Sequence, residues 1–370
     1  MSWIEWADAQ AVAIREAGAW RAPRAFDAAG TGGTLDGEAQ PIISFASNDY
    51  LGLTQHPDVI AAAHAALDRW GAGAGSARLI VGARPVHAEL EEQLAQWKDS
   101  ERAVLFSTGF MANLGVLSSF AGPGTLVISE ELNHASIIDG CRLSKSAIAV
   151  SRHGDPEHVD ALLRDADAQR AIVVTDTVFS MDGDLAPVVE LAEICARRKA
   201  LLVLDEAHAV LGPSPILDGV DALRMGTLSK TLGALGGFVA GPARFCELLE
   251  NRARSYIFTT APTPADTAAA LAALAVVRSP EGDRLRTLLR SHVDRLRPDH
   301  PSPIIPIVLG SEQRALAAAA ALLDQGILVP AIRPPTVRPG TSRLRVTVSA
   351  AHTDAQIDQL ATALAGIIHA

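Results

Sequence analysis

Between residues 100 and 240 the chain alternates short β-rich apolar runs with segments whose apolar residues recur at helical spacing. The runs at 103–106, 126–129, 171–175, 201–204, 224–228 and 237–240 predict strands. The intervening periodicity predicts helices such as 187–198, which carries proline in its first turn, where a missing N–H leaves no bond unmade. Strand–helix alternation of this length predicts an α/β fold built on a mostly parallel sheet covered on both faces.

The two ends of the chain read differently. Residues 3–18 predict an amphipathic helix, and the Gly-rich stretch 28–37 breaks that pattern before Ile42-Ile43-Ser44-Phe45. Beyond Pro262-Thr263-Pro264, Ala- and Leu-rich helical segments (265–277, 283–296, 311–325) are interleaved with β-rich runs at 304–309, 328–332 and 343–348. A last helix begins at Thr353. The expectation is an N-terminal helix and arm over 1–45, a large domain over 46–262, and a smaller C-terminal α+β domain over 263–370. No internal repeat or low-complexity tail interrupts this plan.

Composition narrows the function classes. A net charge of −10 without any basic block argues against a general binder of nucleic acid or of anionic membranes. No uninterrupted apolar run reaches the roughly 18–20 residues of a membrane span. The acidic start MSWIEWADAQ lacks the basic region and apolar core of a signal peptide. Cys141, Cys195 and Cys246 form no CxxC pair and no even set, which predicts reduced, buried thiols in a cytoplasmic enzyme.

Lysine is rare, at four of the 32 basic residues. Lys98, Lys145 and Lys199 stand in polar or arginine-flanked stretches and read as solvated surface. Lys230 instead follows Gly226-Thr227-Leu228-Ser229 and precedes Thr231-Leu232-Gly233, with no nearby residue in sequence to pair its charge. A lysine among small and apolar residues has either a distant partner or a depressed pKa that lets it work as an amine. A Schiff base needs that amine.

Two further clusters lie at predicted strand ends, where open parallel sheets collect ligands. Ser107-Thr108-Gly109-Phe110-Met111-Ala112-Asn113 follows the strand at 103–106. A strand, a glycine turn and a helix opening suit a phosphate, although a plain β–α turn looks the same. Val203-Leu204-Asp205-Glu206-Ala207-His208 ends a strand in acid and imidazole, and Asp205 there fits a helix cap, a metal ligand or a partner for a protonated heterocycle. The Asp-x-x-His spacing lacks a third ligand nearby, so no metal site is expected. Taken in order, phosphate turn, strand-end acid and isolated amine meet the three needs of pyridoxal phosphate: backbone donors, an anion for the ring nitrogen, and an amine for the aldehyde.

With these residues in view, the chain resembles the α-oxoamine synthase family of fold-type I pyridoxal-phosphate-dependent transferases. The resemblance rests on Ser47-Asn48-Asp49-Tyr50-Leu51-Gly52, Leu132-Asn133-His134-Ala135-Ser136, Phe179-Ser180-Met181-Asp182-Gly183-Asp184, Asp205-Glu206-Ala207-His208, Thr227-Leu228-Ser229-Lys230 and Leu344-Arg345-Val346-Thr347. Within the family, Ala331-Ile332-Arg333-Pro334-Pro335-Thr336-Val337 and Gly340-Thr341-Ser342-Arg343 look like the branch that condenses L-alanine with a pimeloyl thioester, on coenzyme A or a carrier protein, in biotin biosynthesis.

The resemblance implies that Lys230 bonds the cofactor aldehyde and later moves the Cα proton. It implies that Asp205 pairs with the ring nitrogen, His208 with the ring hydroxyl, His134 with the ring face, and that Ser180 lies beside ring and substrate. Gly109, Phe110 and Thr227 would hold the phosphate, with Thr259 and Thr260 reaching the phosphate of a neighbouring subunit in a homodimer with shared sites. Asn48 and Arg345 would grip the amino-acid carboxylate, and Arg21 or Arg24 would correspond to an amino-terminal arginine near the acyl substrate. Each has a plainer reading: His134 as a satisfied helix-start residue, Arg345 as a solvated strand face, Thr259 and Thr260 as ordinary strand residues, and 180–183 as a turn. The chain departs from the family at Ala77 beside Ser76, and in the short loop 209–215 after His208, which bears on the walls of the acyl-thioester entrance. Rival expectations are the same chemistry with glycine or another acyl thioester, a non-catalytic partner subunit that keeps the fold, and a phosphate-ligand binding module.

Overall fold

The computed structural model describes residues 1–211 and 214–368; Gly212 and Pro213, in the short loop after His208, lie outside them. Seven strands form the central sheet: β1 (Arg102–Phe106), β2 (Thr125–Glu130), β3 (Ala147–Ser151), β4 (Arg170–Asp176), β5 (Leu201–Asp205), β6 (Ala222–Thr227) and β7 (Gly237–Gly241), in the order β1-β7-β6-β5-β4-β2-β3. Only β7 runs antiparallel to its neighbours. Alternate side chains feed opposite faces. Val104, Phe106 and Val203 join one buried cluster, whereas Leu202 and Leu204 join another across the sheet.

The six expected strands are all present, and β3 is an addition. It pairs with β2 alone, at the sheet's edge, and leaves Ile148 and Val150 exposed. Its run Ala147-Ile148-Ala149-Val150 is apolar, but it follows the helical segment ending at Ser144 with no Gly or Pro to mark a boundary.

Five helices matter below: α1 (Trp3–Glu16), α2 (Pro57–Trp70), α3 (Pro85–Trp97), α4 (Gly109–Phe120) and α5 (Ala135–Ser144). A capping box between Ser2 and Glu5 starts α1, and none of its residues is buried. Among the described residues no helix is long and apolar enough to cross a membrane.

Two expectations at the ends are corrected. The Gly-rich stretch 28–37 does more than break a helix. It closes a hairpin in which Phe26–Ala28 faces Gly32–Leu35, and a Cβ on Gly33 would lie 2.4 Å from that of Ala28. The run at 328–332 is two strands, not one. Ile327–Leu328 pairs in parallel with Ile42–Ser44, and β9 (Ala331–Ile332) pairs antiparallel with β10 (Ser342–Thr347), itself antiparallel to β8 (Ile304–Gly310). Pro330, which has no N–H to offer a ladder, stands between them. The N-terminal arm is thereby sewn to the C-terminal part, and one apolar cluster runs from Phe45 and Phe238 to Leu344 and Ile357.

The reading of Lys98 as solvated surface is also overturned. Its side chain is buried, with Nζ 2.6 Å from Glu206 Oε2, while Arg224 Nη1 lies 2.6 Å from Glu206 Oε1. The end of α3 and strand β6 thus clamp the residue next to Asp205. The two cations hold the Glu206 carboxyl below its usual range against the opposing effect of burial. Lys145 and Lys199 are exposed, as expected.

Two predictions follow from these buried groups. Lys98→Met leaves Glu206 half-compensated in a dry site, and should lower unfolding free energy in urea by roughly 3 kcal/mol. Pairing it with Glu206→Leu should recover much of the loss. His352, stacked on Phe45 at 4.1 Å, donates from Nε2 to Ser44 O at 3.0 Å and accepts the Ser349 N–H on Nδ1 at 3.0 Å. Burial lowers its pKa from 6.5 to about 4. The unfolded chain therefore binds a proton that the folded one refuses between those values. Stability should fall by about 3 kcal/mol as pH drops through that window, and His352→Gln, which can make both bonds, should flatten the slope.

Candidate active site

The site lies at the carboxyl ends of β4 and β5, whose last residues, Asp176 and Asp205, are register partners. Both carboxylates are buried. Asp205 Oδ2 accepts from Asn113 Nδ2 at 2.8 Å and Oδ1 from the Ala207 N–H at 2.9 Å. Asp176 Oδ2 accepts the His134 N–H at 2.8 Å, and burial followed by the charge of Asp205 holds its pKa well above the usual carboxylate range. His134 N-caps α5 with an exposed ring whose Nδ1 faces the Ser136 hydroxyl at 2.7 Å. Burial of its nitrogens lowers its pKa, opposed by Asp205 and aided by Lys230.

Lys230 is half-buried just beyond β6, with Nζ 2.8 Å from His208 Nε2. Burial lowers the amine's pKa, while Asp205 and Asp176 pull the other way. The Tyr50 hydroxyl donates to Asn48 Oδ1 at 3.2 Å, so His208 Nδ1–H donates to Tyr50 and Nε2 is left to accept from Lys230. His208 is buried, and burial with the nearby Lys230 and Arg345 charges drives its pKa well below normal.

Arg345 proves to be no solvated face. Every residue of β10 is buried, and its guanidinium donates to Ser180 O at 2.5 Å, Thr347 Oγ1 at 2.8 Å and Asn48 Oδ1 at 3.2 Å. All three acceptors are neutral, and among the described residues no carboxylate pairs with it. Its neighbour Arg343 does have one, in Asp182. A buried guanidinium lacking an acid suits a carboxylate ligand. The turn carrying Ser180 is tight, since Gly183 has φ +72° and a Cβ there would lie 1.9 Å from Ile304 O.

The turn into α4 carries the other half of the site. Thr108 caps the helix by accepting the Met111 N–H, which leaves the Gly109 and Phe110 N–H groups among the first-turn donors that no intrahelical bond uses. Thr227 stands against this turn, for a Cβ on Gly109 would lie 3.2 Å from the Thr227 Cβ. The Thr227 hydroxyl lies 2.7 Å from that of Ser229. Amine, acid, imidazole and helix opening together fit the aldehyde, ring nitrogen and phosphate of pyridoxal phosphate.

Three expected residues are not brought to this cluster. Thr259 and Thr260 lie near an exposed Phe258, and Thr260 bridges Ala77. Arg21 is exposed on the arm, and Arg24 pairs with Asp36 at 2.6 Å. Conversely, Tyr50, Asn113, Ser136 and Asp176 belong to the site without having been singled out. Tyr50 and Ser136 sit inside the family segments, Asn113 ends the cluster at 107–113, and Asp176 closes the strand at 171–175, so position relative to a strand end was the available signal.

The chain matches the family described as aminotransferase class I and II over residues 40–364. It is 50% identical over 345 residues to the 8-amino-7-oxononanoate synthase of Anaeromyxobacter dehalogenans (strain 2CP-1 / ATCC BAA-258), covering 88% of this chain and 86% of that protein. Among solved structures it resembles a serine palmitoyltransferase from S. paucimobilis with a bound PLP–myriocin aldimine, at TM-score 0.92 and 29% identity, covering 100% and 99% of the two chains. It also resembles the 8-amino-7-oxononanoate synthase of Francisella tularensis, at TM-score 0.73 and 27% identity over 88% and 96%.

Proposed function

This chain belongs to the 8-amino-7-oxononanoate synthases, a family of pyridoxal-phosphate-dependent acyltransferases, and we propose that it condenses L-alanine with a pimeloyl thioester. Carbon dioxide and free thiol leave, and the product enters biotin biosynthesis. The observation that carries this reading is the placement of the Lys230 amine beside His208, within electrostatic reach of Asp205 and next to the turn at Gly109 and Thr227.

When bound, pyridoxal phosphate supplies an aldehyde that captures amines and a protonated ring that accepts an electron pair. The protein does the rest. Lys230 would hold the cofactor aldehyde, and its amine, whose charging burial disfavours, would be a base suited to removing the Cα proton. Asp205, its carboxylate fixed by two donors, keeps the ring nitrogen protonated. His134 offers its exposed ring as a stacking face, and His208 a nitrogen to the ring hydroxyl. Ser180 lines the ring edge, while the Gly109 and Phe110 N–H groups and the Thr227 hydroxyl take the phosphate. Arg345 and Asn48 hold the alanine carboxylate until it departs, and Arg21 lies on the arm that would border the acyl chain.

The proposal includes a cytoplasmic homodimer with shared sites, in which Thr259 and Thr260 reach the partner's phosphate. Exposed Leu79, Ile80, Val81, Phe110, Met111 and Phe258 support an extensive apolar interface. The same chemistry on another acyl group is a second reading, favoured by the likeness to serine palmitoyltransferase.

Lys230→Ala should reduce turnover by roughly 1000-fold or more and abolish the borohydride-reducible yellow colour; normal activity in that variant would sink the assignment. Turnover with alanine against glycine, and with pimeloyl-CoA against shorter and longer acyl-CoAs, with products identified by mass, separates the two readings. Mixing inactive Lys230→Ala and Thr260→Ala chains should restore part of the activity if sites are shared.

A further inference from the structure

We propose that Asn113 and Ser136 are positioning residues that join Asp205 to the ring of His134 and fix that ring as the neutral tautomer with its proton on Nε2. The inference starts from donor arithmetic. The Asn113 amide nitrogen has two hydrogens, and both are committed: one to Asp205 Oδ2 and one to Ser136 Oγ, each at 2.8 Å. Flipping the amide would press its oxygen against the carboxylate. In the observed orientation Asn113 Oδ1 is buried without a partner. Leaving such an atom unpaired is unfavourable, so the negative charge of Asp205 dictates the orientation.

The Ser136 hydroxyl, already accepting from Asn113, turns its own hydrogen toward His134 Nδ1 at 2.7 Å. The Ser136 backbone N–H points at the same nitrogen from 3.2 Å. Two donors directed at Nδ1 leave it no room for a proton, so the ring's hydrogen sits on Nε2. The backbone end of the residue is tied as firmly, through the His134 N–H to Asp176 Oδ2 at 2.8 Å. The titratable groups near the ring are Asp205, Asp176, Lys230 and His208.

The consequence concerns charge. A ring stacked on a heterocycle that must stay protonated does better neutral, since an imidazolium there would oppose the cation that Asp205 maintains. The relay lets one carboxylate serve both rings: it anchors the heterocycle directly and, through an amide and a hydroxyl, keeps His134 an acceptor at Nδ1 and a donor at Nε2. This deepens the proposed function by assigning how its stacking residue is held.

The test needs no turnover. In the holoenzyme labelled with 15N-histidine, the His134 resonances, assigned by their loss in His134→Asn, should show an unprotonated Nδ1 and a protonated Nε2 near neutral pH. A protonated Nδ1, alone or with Nε2, overturns the proposal even if the enzyme is a fully active synthase. A failed acyltransferase assay would leave the spectral result standing. Ser136→Ala, at a helical position that tolerates alanine, should blur this pattern into tautomer exchange. It should also lower kcat roughly 10-fold with KM for alanine changed less than about twofold, and Ser136→Thr should restore both. An unaltered spectrum and kcat in Ser136→Ala would refute the relay.

Discussion

A carboxylate at the buried end of a central strand is expensive unless donors and a cation compensate it, and the arrangement around Asp205 answers that cost point by point. Asn113 and the Ala207 N–H satisfy its two oxygens, and the Lys230 amine supplies countercharge from the end of β6. The neighbouring Asp176, in register on β4, cannot easily ionise as well, and its carboxyl is driven toward the neutral form. The helices α4 and α5 contribute the donors on either side, so strand order, helix starts and charge state are one problem with one solution.

The same centre explains where the protein forgoes stability. Arg345 is buried against neutral acceptors only, His208 is held far from its charged form, and Lys230 carries an amine that burial discourages from protonating. Each is a local conflict that a purely structural core would avoid, and their coincidence within one crevice marks a site awaiting ligand charge. Contrast Glu206, one residue from Asp205. It is equally buried but has two cations in contact, and its neighbourhood therefore offers no vacancy for a ligand. Glu206 is compensated by two cations whereas Arg345 meets only neutral acceptors, and that contrast separates scaffold from chemistry.

The central sheet was legible because strands buried on two faces must be apolar, and six of its seven strands announce themselves that way. β3 escaped because its apolar run, Ala147 to Val150, follows the helix ending at Ser144 with no breaker residue between them. Lys230 was legible because an unpaired lysine among small residues is anomalous in any context. Lys98 misled for the converse reason: its partner, Glu206, is 108 residues away, and its polar flanks looked like surface. Ser136 and Asn113 stayed unassigned because small polar side chains in helix starts are common, and Tyr50 because a buried aromatic reads first as core; only geometry shows which of them touch. Pairing of Ile327–Leu328 with Ile42–Ser44 was likewise invisible, since two-residue strands carry no period to detect.

Fold and reaction are separable in this family, and the comparisons show it. The backbone follows a serine palmitoyltransferase at TM-score 0.92 with 29% identity, whereas the sequence stands at 50% identity to an 8-amino-7-oxononanoate synthase. The shared backbone supports the proposed assignments of amine, strand-end acid, stacking imidazole and helix opening in this chain. The proposed substrate choice rests instead on walls that the common machinery does not constrain. One such wall is a cavity of about 690 Å³ between the turn at Met181 and Asp182 and the segment Pro334 to Pro339, closed by contacts of Arg343 with Asp182 and of Arg338 with Glu131. Those residues come from the stretch where the sequence resemblance is most selective within the family. Identity of 50% over 345 residues to a synthase bears on the acyl group more directly than likeness of the whole backbone at 29% identity, which is why the synthase reading is preferred to the palmitoyltransferase one.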